Sequence, residues 1–336
     1  MINAAIIGLG RWGQHLVESI QGKSDRIRIA AGATRTVAKA EDFAKKQGFP
    51  LYDAYEKVLA DPSIDAIVLA TPHSRRVELI VAAAQAGKHV FTEKPLALTQ
   101  RDAQTCIRAC AGHKVTLAVG YNWRFQPALR EIRRMLDDGR LGELLHIEGN
   151  FCGPSVYRFG AYHWRHDRGD GPAGGMTGRG VHIVDAMLYL SGRIDTVYAQ
   201  SNRRVNDYGI DDTTSALLRF GNGATGYLGT VIATAETWRM QVFGAKGWAE
   251  VGDVEHLTTW ELRVCFIDPQ HLNVHQRPRI VRFPPVGTEL AELENFAHAI
   301  EDGRPLAVEG GDELHGVAVL EAVIESATRG GAVKVK

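Results

Sequence analysis

The sequence predicts two domains of α/β and α+β class. A doubly wound parallel sheet is expected over residues 1–123, followed by a domain over 124–336 built on a large, mostly antiparallel sheet. Three observations carry that expectation. Residues 2–7 form an apolar run of strand length that breaks at three glycines and then turns helical. From there to residue 119, short apolar runs alternate with helical patterns, as in a sheet covered by helices on both faces. Beyond residue 195, extended segments follow one another without helices between them, which favours antiparallel pairing. At 336 residues the chain also exceeds the length of one typical domain.

The first strand runs into Gly8-Leu9-Gly10-Arg11-Trp12-Gly13, with glycines at the G-x-G-x-x-G offsets. Gly8 permits a tight turn, Gly10 lets the backbone approach a pyrophosphate, and Gly13 lets the helix pack closely on the strand. The phosphates would sit on the unpaired N–H groups where the helix begins. These six residues are therefore expected to hold a dinucleotide. A second strand at 27–34 and a helix at 37–47 complete the βαβ unit that such a motif requires. At the end of that second strand, an acid would accept a hydrogen bond from the ribose 2′-OH and repel a 2′-phosphate. The chain has Ala33-Thr34-Arg35-Thr36 there instead. Thr34 can donate to a phosphate and Arg35 can neutralise it, which points to NADP, with NAD as the alternative.

A short helix at 53–60 precedes the run 66–70, whose continuous apolar character suits a central parallel strand. Thr71-Pro72-His73 ends it, and a helix at 77–86 is closed by Gly87. Another strand at 89–92 leads into Glu93-Lys94-Pro95. Thr99 is placed to cap a helix over 99–111, and a strand at 115–119 leads to Asn122. In a sheet of this kind the ligand lies at the carboxyl ends of the strands. Thr71, Pro72, His73, Glu93, Lys94 and Asn122 all fall at such ends and are expected to border the cofactor.

The second half opens with a helix at 127–138 and a strand at 144–151. Residues 152–180 mix glycine, aromatic and charged residues with little periodicity, and read as a long functional loop. A helix at 181–190 follows. Extended segments come next at 196–203, 213–220, 224–233, 237–243 and 248–251, with Gly221-Asn222-Gly223 as a hairpin turn. Helices at 289–301 and 312–327 close the chain.

Lys plus Arg and Asp plus Glu number 39 each, so the net charge is zero and no basic field for nucleic acid arises. The longest apolar stretches fall short of a membrane span, and no secretory leader is read ahead of the first strand. Cys106, Cys110, Cys152 and Cys265 show neither a C-x-x-C pair nor metal-ligand spacing. A cytoplasmic location is expected, with no metal, no nucleic-acid partner and no membrane association.

Four motifs stand in order: GLGRWG at 8–13, AGKHVFTEKPLALT at 86–99, WRHD at 164–167 and GGMTGRGVHIVD at 174–185. Through them the chain resembles the glucose–fructose oxidoreductase and inositol dehydrogenase (Gfo/Idh/MocA) family over nearly its whole length. The resemblance implies an N-terminal Rossmann domain and an open-faced C-terminal sheet that also forms a homo-oligomer interface. It implies NAD(P)-dependent hydride transfer to or from a small sugar-like or cyclic hydroxy or carbonyl compound. It places Lys94 beside the nicotinamide and the reacting oxygen, makes His182 the acid/base, and adds Trp164 and Arg165 to the cofactor's contacts. The chemistry agrees independently. Hydride transfer leaves one proton that the cofactor cannot move. A histidine titrates in the right range, and a lysine steadies a developing alkoxide.

Two departures from the family pattern stand out. Many members carry an aspartate four residues before the histidine; here that position is Gly178. Either Asp167, Asp170 or Asp185 takes its place in space, or the substrate is not a simple polyol. Asp185 could equally be a buried partner for a nearby backbone or arginine group. After the Thr-Pro pair, members often show Asn and, three residues on, His; here these are His73 and Arg76. Arg124, Tyr157, Tyr162 and Arg179, with His163, Trp164, Arg165 and His166, make the expected pocket wall aromatic and cationic, which hints at an anionic or aromatic substrate. Two rival readings use the same residues: glycoside cleavage assisted by transient oxidation, and a nucleotide-binding sensor without catalysis.

Overall fold

The structure, a computed structural model, describes all residues except 161, 208, 309 and 310. It divides into two compact units. The first comprises Met1–Asn122 with Gly287–Leu314, the second Trp123–Val286 with His315–Lys336.

The first unit begins β1 (Ile2–Ile7), α1 (Arg11–Ile20), β2 (Ile27–Ala33), α2 (Glu41–Gln47), β3 (Leu51–Tyr52) and α3 (Tyr55–Ala60). It continues β4 (Ala66–Leu69), α4 (Arg76–Gln85), β5 (His89–Glu93), α5 (Gln100–Gly112) and β6 (Leu117–Gly120). All six strands are parallel, in the order β3-β2-β1-β4-β5-β6. The chain reverses its direction of travel between β1 and β4, which makes their carboxyl ends the switch point where ligands bind such sheets. The four residues of β4 are all buried, as a continuous apolar run requires at the centre of a parallel sheet. Leu16, Val17 and Ile20, spaced on one face of α1, join Ile6, Val68 and Phe91 in the core. Thr99 caps α5 as expected, its Oγ1 accepting from the Asp102 N–H at 3.1 Å. The two-residue edge strand β3 is too short to leave a pattern.

The second unit contains α6 (Pro127–Asp137), β7 (Leu144–Cys152), α7 (Ser155–Arg158), α8 (Val181–Ser191), β8 (Ile194–Asn202) and β9 (Thr213–Phe220). Then come β10 (Thr225–Val231), β11 (Thr237–Gly244), β12 (Gly247–Asp253), β13 (Glu261–Phe266) and β14 (Arg279–Arg282). The chain closes with α9 (Thr288–Asp302), α10 (Asp312–Arg329) and β15 (Val333–Lys334). Nine strands form one sheet in the order β14-β13-β12-β11-β7-β10-β9-β8-β15, antiparallel except where β10 runs alongside β7. One face is apolar and buried: in β9, Thr214, Ala216, Leu218 and Phe220 point inward while Leu217 and Arg219 are exposed.

The structure differs from the sequence reading in three places. Residues 287–314 join the first unit rather than continuing the second. Leu293, Phe296 and Ala297 of α9 belong to the core of the first unit, with Phe296 5.9 Å from Phe91. The stretch 152–180 is not featureless: it holds α7, a 3-10 turn at Trp164–His166 and a π-helix at Met176–Gly180. Strands β13, β14 and β15 also extend the sheet beyond the expected segments. All four cysteines are free and buried. Burial pushes the Cys106 thiol up to about 12 and that of Cys110 up to about 11, the behaviour of packing groups. No described helix is long and apolar enough to cross a membrane.

Candidate active site

The glycine turn shows why each glycine stands where it does. Gly8 has φ +95°, and a Cβ there would lie 2.6 Å from the Ala70 carbonyl oxygen. A Cβ at Gly13 would stand 1.9 Å from the Gly8 carbonyl oxygen, so the first turn of α1 closes directly on the β1 backbone. Gly10 differs from both: nothing lies within 4 Å of a Cβ built there. It is the N-cap of α1, with no side-chain cap and no acid in the first turn. The helix therefore presents its first N–H groups to an approaching anion, and the cradle fits a dinucleotide's pyrophosphate. Leu9 is buried, whereas Arg11 is exposed. At the end of β2, Thr34 is half-buried and Arg35 exposed, and among the described residues Arg35 has no ion-pair partner.

Several residues expected to border the cofactor carry internal bonds as well. Trp12 donates its indole N–H to Glu93 Oε1 at 2.5 Å, tying the start of α1 to the end of β5. Asn122, 2% exposed, directs its amide NH₂ to Glu289 Oε1 at 2.9 Å and Thr288 Oγ1 at 3.2 Å. The structure thus gives Asn122 a partner within its own unit rather than an open surface. His73 is buried in the turn before α4, and Thr71 and Pro72 are half-buried. Lys94 is half-buried immediately beyond β5, at a cis Lys94–Pro95 peptide.

His15 was missed by sequence reasoning. Its ring lies 4.8 Å from that of Trp12, and Nε2 stands 3.9 Å from Glu289 Oε1, an ion-pair distance. The Glu289 carboxylate raises the His15 pKa above the ordinary imidazole value, against the opposing effect of burial. For Glu289, burial pushes upward, but His15 and the Asn122 amide outweigh it and hold the carboxyl below the usual range. The helical spacing of Trp12 and His15 was readable; the distant Glu289 was not.

In the second unit, His182 sits on α8, and glycines bring that helix down onto the sheet. A Cβ at Gly149 of β7 would meet Ile183 Cγ2 at 2.3 Å, and one at Gly175 would meet Ile232 Cγ2 at 2.7 Å. The π-helix leads directly into α8, a geometry frequent at functional sites. His182 is 5% exposed and stacks on Trp123, 5.2 Å between ring centroids at 25°. Phe151 and His256 flank it at 5.9 and 6.0 Å, and Trp123 donates its indole N–H to His256 Nδ1 at 3.1 Å. None of these three walls was anticipated, because each comes from a different element of the unit. Gly178 contrasts with its neighbours, since a Cβ there meets nothing within 4 Å.

The expected substrate wall needs correcting. Arg124 is buried and forks onto Asp185, with Nη2 2.7 Å and Nε 3.0 Å from Oδ1. Asp185 is therefore the buried partner of an arginine, and neither residue is an open pocket group. Arg179 lies 4.5 Å over the Phe151 ring, donates to the Cys152 carbonyl at 2.7 Å and pairs with Glu236 at 2.9 Å. Tyr157 and Tyr162 are 65% and 104% exposed. Trp164 and Arg165 stack on one another at 4.2 Å. Asp167 accepts from the Gly169 N–H at 2.6 Å, in a local turn.

The comparisons agree with this architecture. The family description "Oxidoreductase family, NAD-binding Rossmann fold" matches residues 2–121, and "GFO/IDH/MocA C-terminal domain" matches residues 129–250. A D-xylose 1-dehydrogenase (NADP(+)) of Haloferax volcanii is 30% identical over 313 residues, 91% of each chain. An inositol 2-dehydrogenase of Rhizobium meliloti is 28% identical over 97% of this chain and 96% of its own. A crystal structure of an aldose-aldose oxidoreductase from Caulobacter crescentus, complexed with glycerol, superposes with a TM-score of 0.88 at 27% identity, covering 99% of each chain.

Two outcomes follow from the nucleotide side. Gly10→Ala should keep the wild-type melting temperature yet weaken NADPH binding by about tenfold, because its methyl occupies the anion's approach. Gly13→Ala should instead destabilise the fold by about 1–3 kcal/mol, by forced repacking. Thermal denaturation and NADPH fluorescence titration separate the two, and unchanged NADPH affinity in Gly10→Ala would remove the pyrophosphate from this turn. The His15–Glu289 pair should show in the pH dependence of stability. Protonated His15 stabilises the fold below its unfolded pKa of about 6.5, and that contribution fades as pH climbs through the raised folded value. Ionised Glu289 contributes above about 4.3 and is lost as pH falls through its depressed value. The stability gap between wild type and His15→Gln should therefore be widest between about pH 4.3 and 6.5, and narrow at alkaline pH. A gap independent of pH in urea titrations would mean that the pair is not ionised.

Proposed function

The chain belongs to the Gfo/Idh/MocA family of NAD(P)-dependent oxidoreductases, and from that premise we propose an NADP-preferring enzyme acting on a neutral sugar or cyclitol, with Lys94 and His182 at the substrate oxygen. The observation that carries this reading is His182, on a helix that Gly149 lets down onto the sheet, with Trp123, Phe151 and His256 fixing its ring. A ring held this way keeps a fixed orientation, which favours general acid/base catalysis. Bound nicotinamide supplies or accepts the hydride. The residues of this chain do the rest: His182 takes the hydroxyl proton in oxidation and returns it in reduction. Lys94 stabilises the charge that grows on the oxygen. The aromatic walls keep water from the imidazole.

The choice of a neutral substrate is supported by two pairings. Arg124 and Arg179 both face internal acids, Asp185 and Glu236, so neither is poised for an anionic substrate. The relatives named above act on a pentose and an inositol, compounds of the neutral class. NADP is favoured by Arg35, exposed at the end of β2 where no acid stands. Assembly into homo-oligomers through the open sheet face is supported by Tyr198, Leu217 and Tyr227. They are exposed and in register across β8, β9 and β10. A cytoplasmic location accords with four buried free thiols.

D-xylose and myo-inositol, offered with NADP⁺ and with NAD⁺, are the first substrates to assay. Lys94→Met and His182→Asn should each lower kcat on the order of a hundredfold to ten-thousandfold while still binding NADPH. Full turnover in either variant would remove that residue from the chemistry. Arg35→Ala should weaken NADPH by about tenfold, one lost charge-assisted contact, and leave NADH unchanged. Equal losses for both nucleotides would overturn the NADP preference.

A further inference from the structure

Arg76 is the first residue of α4 and only 3% exposed, a rare setting for a guanidinium. Its Nη1 donates to the Glu93 carbonyl and to the Pro95 carbonyl, both at 2.6 Å. Nε and Nη2 donate to the Thr71 carbonyl at 3.3 and 3.1 Å. The two carbonyls on Nη1 belong to the residues immediately before and after Lys94. The third belongs to the residue whose Cγ2 would lie 3.3 Å from a Cβ at Gly8. From this bracket we infer that Arg76 is a positioning residue for Lys94, fixing the peptide unit that enters it and the one that leaves Pro95, and tying both to the end of β4 beside the glycine turn.

The geometry suits a guanidinium and no smaller cation. Arginine offers five N–H groups in a rigid plane, so one side chain reaches three carbonyls in different directions. A lysine ammonium is a point charge on a flexible stem, and an apolar side chain would withdraw the guanidinium's bonds from all three carbonyls, leaving Glu93 only the 3.3 Å contact from the Thr92 hydroxyl. Fixing both flanking carbonyls constrains the lysine backbone far more than a bond on one side would. Glu93 is held twice over, its main chain by Arg76 and its side chain by Trp12. Lys94 thus projects from a short segment anchored before it, after it and to the neighbouring strand. A reacting group needs its position held to within fractions of an ångström, and preorganised backbone achieves that without the cost of ordering at each turnover.

The inference rests on the reading of Lys94 as the group at the substrate oxygen, so its test carries that reading as a separate arm. Wild type, Arg76→Met, Arg76→Lys and Lys94→Met are compared for NADPH affinity, and for kcat and KM on whichever of D-xylose or myo-inositol the wild type turns over. Arg76→Met should lose kcat on the order of a hundredfold, the cost of misplacing a catalytic group by about 1 Å, with KM and NADPH affinity within about threefold of wild type. Arg76→Lys should recover part of that loss. Wild-type kcat in Arg76→Met would overturn the inference. So would a loss of kcat that merely follows the fraction of protein still binding NADPH.

If the wild type turns over neither sugar, the choice of substrate fails; if Lys94→Met stays fully active, the reading of Lys94 does. Arg76 is then decided by a measurement independent of turnover. Lysines are reductively methylated with isotope-labelled methyl groups and observed by NMR in the NADPH complex, the Lys94 signal being the one missing from Lys94→Met. Its movement into the cluster of exposed lysines in Arg76→Met supports the positioning role; an unmoved signal refutes it.

Discussion

One close approach of backbone to backbone governs the nucleotide unit: the first turn of α1 lies against the carbonyl of Gly8, at a distance that leaves no room for a Cβ at Gly13. Because α1 starts there, Trp12 lands within reach of Glu93 and His15 within reach of Glu289. The joint therefore sets more than a phosphate cradle. It couples the start of α1 to the end of β5, where Lys94 follows, and to the start of α9. The turn also meets Ala70 and Thr71, and Thr71 accepts from the same arginine that grips Glu93 and Pro95. A side chain at Gly13 would disturb every one of these contacts at once.

Where the sequence was legible, the signal was local. The β1 turn, the buried run of β4 and the Thr99 cap all follow from residues within one turn or one strand of each other. What stayed hidden joins residues far apart in the chain. Arg124 and Asp185 are 61 residues apart, and Asn122 and Glu289 are 167 apart. No periodicity announces such pairs, so Arg124 reads as a pocket residue until its partner is seen. The placement of 287–314 is hidden for the same reason. The apolar face of α9 declares that it packs on something, but amphipathicity does not say which sheet. The π-helix was hidden differently, since a glycine-rich stretch has no side-chain pattern from which a wider turn could be read.

The glycines before His182 do not all serve one purpose. Gly175 and Gly180 stand where a Cβ would collide with Ile232 and with Met176, so packing explains them. Gly178 has open space around it and no left-handed φ, so neither packing nor backbone conformation demands glycine there. An aspartate at this position would fit the space around its Cβ. Its absence leaves no carboxylate one helical turn before His182. Asp185 cannot make up the loss while it is forked by Arg124: separating a buried pair leaves one charge unpaired, at a cost of about 3–5 kcal/mol.

The distribution of charge then distinguishes the two units. A guanidinium that must bind a ligand's phosphate does so best when no internal acid already neutralises it, because the ligand would otherwise have to displace that acid. In the second unit, Arg124 has Asp185, and Arg158 and Arg179 share Glu236. In the first unit, Arg35 is exposed without such a partner among the described residues. An exposed guanidinium without an acid beside it thus stands at the end of β2. The surroundings of His182, by contrast, are aromatic rings and arginines already matched with acids. Buried rings packed around an imidazole make an apolar setting, in which an unmatched charge would be costly and a matched one is not.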